Sequence, residues 1–435
     1  MVRRFVLLII GLLFITGTLF AKEYDLQSII KLAIERNKDI KLAQADLRMA
    51  SALKKEAVSA ALPTVDLDFG YNRNLQQTFF YFNSPEGTQK FSITYKNEFQ
   101  FNAILSQTLF SFKVGKAIQA ASDFRKLTAF QYDSQFQAII TGVKKAFYQA
   151  LLLKTIYELA RESEESALEN YQNIKLKYES GVVSEFELLQ AEVRWQNSIP
   201  ETMQARKNCQ VSLNNLKALV SLPQSENIQL SGDLESFPVF PDSISMEEVL
   251  RKHPMYNALV WERKLREKNI IVEKSNNWPE LDGRVMYNYG ARSDAFRLQN
   301  DNDNVVVGLT LKVPLFTGGF GSAQVQKARI ELDKTDTQLS IALDDLQIQL
   351  TNIYLLLKES YQRIVAAQKS IGSARRAFEI AQTRVANNMA TQLELKDSRL
   401  FLDQAQVNYY AATYDYLEAY FDWARVTGNV NTEGL

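Results

Sequence analysis

Cysteine and histidine are almost missing: one of each, Cys209 and His253, stands in 435 residues. No intramolecular disulfide can form, and thiol, imidazole or soft-metal chemistry has almost no side chains to use. A single cysteine usually packs as a small hydrophobe, and that is the role expected of Cys209. Neither sign of charge dominates, with 50 Lys plus Arg against 50 Asp plus Glu. That balance leaves no basic excess for nucleic acid and no acidic tail. Carboxylates are plentiful, yet none sits in a cluster with metal-ligand spacing, and no nucleophile has an evident base. The sequence therefore assigns no catalytic, cofactor or metal residues. Proline is scarce, at nine residues, and long stretches without it are open to uninterrupted helix. After residue 21 no apolar run reaches the length of a transmembrane helix, so any membrane insertion must use strands.

Residues 1–21 differ from the rest. Arg3 and Arg4 precede an uncharged run from Phe5 to Phe20, and Ala21 supplies a small residue before the polar Lys22-Glu23-Tyr24. This order predicts a secretory signal peptide over 1–21. As an anchor the run is short against the roughly 20 residues of a span, and Gly11 and Gly17 break it. No cysteine follows it to carry an N-terminal lipid.

The chain is written twice. Pro63 placed on Pro279 brings Asp66 onto Asp282 and Tyr71 onto Tyr287, and after a change in loop length Leu109-Phe110-Ser111 meets Leu315-Phe316-Thr317. Farther on, Ser184-Glu185-Phe186-Glu187-Leu188 meets Thr391-Gln392-Leu393-Glu394-Leu395. The unit is roughly 200 residues, far longer than solenoid periods of about 20 to 50. We expect a first repeat over 22–222, a proline-bearing connector over 223–244 and a second repeat over 245–435, a pattern that suggests a pseudo-symmetric ring or tube.

Each repeat holds two segments of strict alternation. Val65, Leu67, Phe69 and Tyr71 are apolar between Thr64, Asp66, Asp68 and Asn72, and Phe91 to Leu105 alternates the same way, with aromatics on the odd positions. The second repeat supplies Leu281, Val285, Tyr287 and Tyr289, then Val305 to Leu315. Period two means one wet and one dry face. Strands are expected over about 62–74, 91–110, 279–291 and 303–316. Asp66, Lys96, Glu98, Asp282, Arg284 and Lys312 would face water; Phe69, Phe99, Phe101 and Val307 would face lipid. Single-chain bacterial barrels need at least about 8 strands, so four cannot close, and open edges are not tolerated in lipid. Several chains must share one barrel, and three would make it 12-stranded.

Long helices follow each hairpin. Val325, Ala328, Leu332, Thr335, Leu339, Ala342, Leu346, Gln349, Ile353 and Leu356 keep a 3,4 spacing, which resumes after a one-residue phase shift at Ile364. That is a coiled-coil period. The rods end in tip turns over about 180–184 and 387–391, where Ser184 and Thr391 are N-caps and Glu187 and Glu394 complete capping boxes. Return helices run to about Val220 and Val426, and shorter helices, roughly Leu26 to Ala60 and Met246 to Lys274, precede the hairpins.

This order resembles the TolC-like outer-membrane efflux proteins. The residues carrying the likeness are Val313-Pro314-Leu315-Phe316-Thr317-Gly318-Gly319, its weaker partner Gln107 to Phe112, Leu62-Pro63, Trp278-Pro279, His253-Pro254 and Tyr178 to Ser184. The resemblance implies a mainly α fold with a membrane β-barrel portion. It implies a homotrimer with a 12-stranded β-barrel continuous with a 12-helix periplasmic α-barrel, and partners in a periplasmic adaptor (membrane fusion protein) and an inner-membrane pump of RND or ABC type. It places the adaptor contact at the tips, Gly181, Val182, Val183 and Ser184 with Asn388, Met389, Ala390 and Thr391; on the residues alone, the two apolar tips could instead contact each other. It places an acidic periplasmic constriction at Glu394 and Asp397 with Glu187 nearby, although both glutamates could be helix caps only. The family's basic residue in the second tip turn is Ala390 here, so any lock must differ. Pro63, Pro279, Pro314, Gly318 and Gly319 mark strand-to-helix turns; a phosphate loop at the glycine pair lacks its lysine. The rival reading is a periplasmic coiled-coil scaffold, which leaves the aromatic hairpins without use.

Overall fold

The computed structural model describes residues 22–387 and 389–432. The segment 1–21, expected as a signal peptide, and tip residue Asn388 lie outside the described residues. The chain forms two compact units, and each draws on both sequence repeats.

The unit over residues 45–130 and 258–341 holds the strands. They are β2 (Thr64–Arg73), β3 (Phe79–Ser84), β4 (Gly87–Ser92), β5 (Asn97–Ser111), β7 (Glu280–Ser293) and β8 (Asn302–Lys312). The main sheet has the order β2-β5-β7-β8 and is antiparallel throughout. Pairing of β5 with β7 joins the two repeats in one sheet, which is why the units do not follow the repeats. Two differences from the sequence expectation have clear causes. The segment expected as one strand from residue 91 is broken, because Gly87–Ser92 turns back on Phe79–Phe82 as a separate hairpin and the ladder restarts at Asn97. Strand β8 ends at Lys312, opposite Glu280 where β7 begins, so Pro314 and its neighbours have no strand to pair with.

The unit over residues 22–44, 131–257 and 342–432 is mainly helical. It includes β1 (Lys22–Tyr24), which lies parallel to β6 (Ile228–Leu230). Its helices are α1 (Leu26–Arg36), the start of α2 (Lys38–Ser59), most of α3 (Phe112–Glu179), α4 (Glu185–Leu219), α5 (Met246–Lys252), the first turn of α6 (Pro254–Ser275), the later part of α7 (Phe320–Ala386) and α8 (Gln392–Val426). The 68 residues of α3 and 67 of α7 contain no proline, so nothing interrupts their backbone ladders.

Two apolar seams hold this unit. Ile29 and Ile30 of α1 pack with Ile140, Val143 and Phe147 of α3, Leu216 of α4, Ile228 of β6, and Leu417 and Phe421 of α8. Leu346, Ile353, Leu357 and Ile364 of α7 pack with Ala412, Tyr416, Ala419, Trp423 and Val426 of α8. Helix α8 thus buries two stripes at 3,4 spacing, one toward each neighbour. The phase of α7 also differs from the expectation: Leu356 is exposed and Leu357 is fully buried. Partly buried Leu350 lies four residues after Leu346, so the extra residue falls there, as a stutter does in a coiled coil.

The helices before the hairpins are each broken once, at Asn37 and at His253, which are equivalent positions in the repeats. Asn37 Oδ1 accepts from the N–H groups of Asp39 and Ile40, while His253 Nδ1 accepts from Tyr256 N–H at 3.1 Å. That bond requires neutral imidazole. Burial, with Arg425 nearby, pushes the His253 pKa down to about 4. Because the folded value lies below the unfolded value of about 6.5, stability is full above that pH and falls as pH drops toward 4. His253→Asn keeps a capping acceptor without the proton. Thermal melting from neutral pH to about 4.5 should show a shallower fall for this variant; an identical fall would remove His253 from the cause.

Candidate functional site

Register assigns each strand residue to a face of the sheet. Val65, Leu105, Val285 and Val307 form one cross-strand row, and Leu67, Ala103, Tyr287 and Val305 form the next. Phe69, Phe101 and Tyr289 continue this face, then Tyr71, Phe99 and Ala291. Phe69 and Phe101 lie 4.8 Å apart between ring centroids, and Tyr71 and Phe99 lie 5.0 Å apart. Phe69 and Val307 are 79% and 74% exposed, so among the described residues that part of the face is uncovered, while Phe296 packs edge-on against Tyr71 and Phe99 at its end. From Phe99 to Phe110, β5 runs about 36 Å, which a tilt of about 40° reduces to roughly 28 Å, close to the apolar band of about 25 Å on membrane barrels. At the far end Trp278 stacks on Phe112 with centroids 4.4 Å apart, adding aromatics at the strand-helix junction.

The opposite face is mostly polar. Asp68, Asn102, Asn288 and Asn304 form one row, with Asn288 Nδ2 donating to Asn304 Oδ1 at 2.8 Å. Asp66, Glu98, Asp282, Arg284 and Lys312 share this face. Two features depart from a clean polar lining. Ile104, Met286 and Val306 cross it as an apolar row beside Asp66, and Lys96 lies outside the ladder, before β5 begins. Aqueous thiol reagents should label cysteine at Arg284 but not at Phe69 in membranes, over a low background because the native Cys209 is buried; the reverse pattern would exchange the faces.

The turns between helix and strand repeat closely. Pro63 and Pro279 are each the last residue before a strand, and Leu62 and Trp278 donate to Ser59 and Ser275 in equivalent bonds. The exits differ. β5 passes straight into α3, while β8 needs residues 313–319, where Gly318 and Gly319 take φ of 59° and 85° before α7. Such angles favour glycine. Pro314 lies within that extended exit.

At the first tip, Val182 N–H donates to Lys177 O and Gly181 N–H to Tyr178 O, both at 2.8 Å, and Gly181 has φ of 73°. This is a Schellman closure. Ser184 then caps α4, its hydroxyl accepting from Glu187 N–H. Val182 is 64% exposed and Val183 half-buried.

At the second tip, Met389 N–H donates to Arg384 O at 2.7 Å, and Thr391 caps α8 by accepting from Glu394 N–H. Met389 is 69% exposed and Ala390 half-buried. Arg384 holds the turn: its guanidinium donates to Met389 O at 3.1 Å and to the Glu394 carboxylate at 3.3 Å. Sequence reasoning passed over this arginine. Its equivalent in the first repeat is Lys177, and that shared basic position in the last helical turn was the available signal.

Asp397 is half-buried one turn beyond Glu394 and acts electrostatically on Arg194 of α4. Beside it lies a second unforeseen group. Arg399, 7% exposed, donates to Asp403 at 2.8 Å and pairs with Glu162 at 3.5 Å, while Ser163 donates to Asp403. Burial raises the Asp403 pKa, against the pull of Arg399. These residues tie α3 to α8 behind the tips.

Comparison with known proteins agrees with this fold. A family model described as outer membrane efflux protein matches residues 29–221 and 246–429. The alkaline protease secretion protein AprF of Pseudomonas aeruginosa is 24% identical over 327 residues, 74% of this chain and 67% of the relative. The outer membrane protein TolC of Vibrio cholerae is 21% identical over 390 residues, covering 87% and 84%. The crystal structure of the Campylobacter jejuni CmeC outer membrane channel superposes with a TM-score of 0.79 at 19% identity, covering 93% of this chain and 85% of that one.

Proposed function

The chain belongs to the outer membrane efflux protein family, and we propose that three copies form one channel, which takes its cargo from a periplasmic adaptor and an inner-membrane pump. The protein is an export channel of the outer membrane with a large periplasmic part, and its family is one of transport channels rather than enzymes. The cargo class is small solutes or polypeptides; the name of AprF speaks for the second in that relative.

The observation that carries the assembly is the open four-stranded sheet, whose face is apolar and whose edges β2 and β8 are unpaired among the described residues. Each neighbouring pair is antiparallel, so β2 and β8 run in opposite directions. Strand β8 of one copy can therefore pair antiparallel with β2 of the next, and a ring of such copies has no free edge. Three copies give 12 strands, wide enough for an aqueous lumen. The helices support the same reading. Leu42 and Met49 on α2, and Ile341, Ile348 and Leu355 on α7, are exposed at heptad spacing, which is how a seam awaiting another helix reads. Adaptor contact falls to the apolar tips, and the constriction to Glu394, Asp397 and Glu187.

A periplasmic scaffold leaves the apolar sheet face in water. Light scattering in detergent separates the readings: a mass of three chains is expected, and a monodisperse monomer would sink the shared barrel.

A further inference from the structure

A cleft of about 450 Å³ lies between α3 and α6 in the strand-bearing unit. Its centre is Trp261. The Nζ atoms of Lys126 and Lys264 lie 4.2 Å and 4.0 Å from the indole centroid. Both carboxylates that line the cleft are already engaged. Asp123 pairs with Lys268, and Glu267 pairs with Arg263 at 2.5 Å. Among the described residues, Lys126 and Lys264 have no carboxylate of their own.

Two ammonium groups beside one ring repel each other, and the π electrons offset only part of that repulsion. An anion between them adds two attractions at shorter range that outweigh the remaining repulsion. Trp261 and Ile271 add an apolar wall, and the volume falls within the range of small-molecule sites. We propose that this cleft binds an amphipathic anion, with a carboxylate, sulfonate or phosphate between Lys126 and Lys264 and a ring-bearing or aliphatic body against Trp261 and Ile271.

A soluble solute and a phospholipid headgroup share that chemistry. From Trp261 to the end of α6 at Ser275 is about 21 Å of helix. The cleft is thus well removed from the apolar sheet face, which favours the soluble solute.

Naphthalene-2-sulfonate, titrated by equilibrium dialysis into the full chain held in amphipol at low salt, should show one saturable site per chain. Affinity should fall about tenfold in K126Q/K264Q, recover in K126R/K264R, and be about tenfold weaker for the neutral 2-naphthalenemethanol. Each variant is first matched to the parent in mass, so a loss of binding is not a loss of fold. Displacement by cholate marks a soluble solute as the natural class, and displacement by dihexanoyl phosphatidylglycerol alone marks a lipid headgroup. Unsaturable uptake, equal affinity for the neutral analogue, or unchanged binding in K126Q/K264Q would overturn the site.

Discussion

Export is expected to stop, with the assembly intact, when Val182 and Met389 are both replaced by large polar residues such as glutamine. Their side chains do not shape the turns. The first turn is closed by backbone bonds from Gly181 and Val182, and the second is held by Arg384; both return helices start from hydroxyl caps. Substitution should therefore leave the tips folded. The two side chains, 64% and 69% exposed, are apolar where a free turn would carry polar groups. If they are anchors in an adaptor groove, each is worth about 2 kcal/mol, and losing both weakens docking about a thousandfold. Measuring efflux or secretion in cells alongside the detergent mass separates the outcomes. Continued export would remove the adaptor from these turns, and failure to assemble would place the residues in the core.

The features legible in the sequence were those set by local rules. Strand alternation, hydroxyl caps, the glycine at the first tip and the prolines before strands each depend on a few adjacent residues. What escaped depends on partners far along the chain. Leu356 and Leu357 are equally apolar, and only the position of α8 decides that Leu357 is buried. Tyr410, Tyr414, Leu417 and Phe421 follow one another at 3,4 spacing as a single stripe, yet Tyr416, Ala419 and Trp423 form another because a second helix lies against α8. The hairpin of β3 and β4 carries aromatics on both faces, so Phe79-Phe80-Tyr81-Phe82 shows no period of two. Arg399 looked like one charge among many, and its burial goes with Glu162, which it pairs with, and with Ser163, which donates to its partner Asp403, both more than 230 residues earlier.

At the tunnel end, replacing Glu394 and Asp397 by alanine should lower cation selectivity in bilayer recordings and relieve block by multivalent cations. Threefold symmetry would bring six such carboxylates around one narrow lumen, where their potentials add. The geometry of the single chain refines this expectation. Glu394 is paired with Arg384 at 3.3 Å, with both side chains about half exposed, and such pairs contribute roughly 0.2 to 1 kcal/mol. Asp397 lies within the electrostatic reach of Arg194. Part of the negative charge is thus already compensated, so Arg384→Ala should act in the opposite direction and raise cation selectivity. The same change removes the donor to Met389 O, which loosens the second tip and should raise open probability. A cap-only role for Glu394 predicts no change in selectivity or block: its backbone N–H, which bonds Thr391, survives truncation to alanine. Selectivity and block that stay the same in both the Glu394/Asp397 and the Arg384 variants would therefore place these acids on the surface, away from the conducting path.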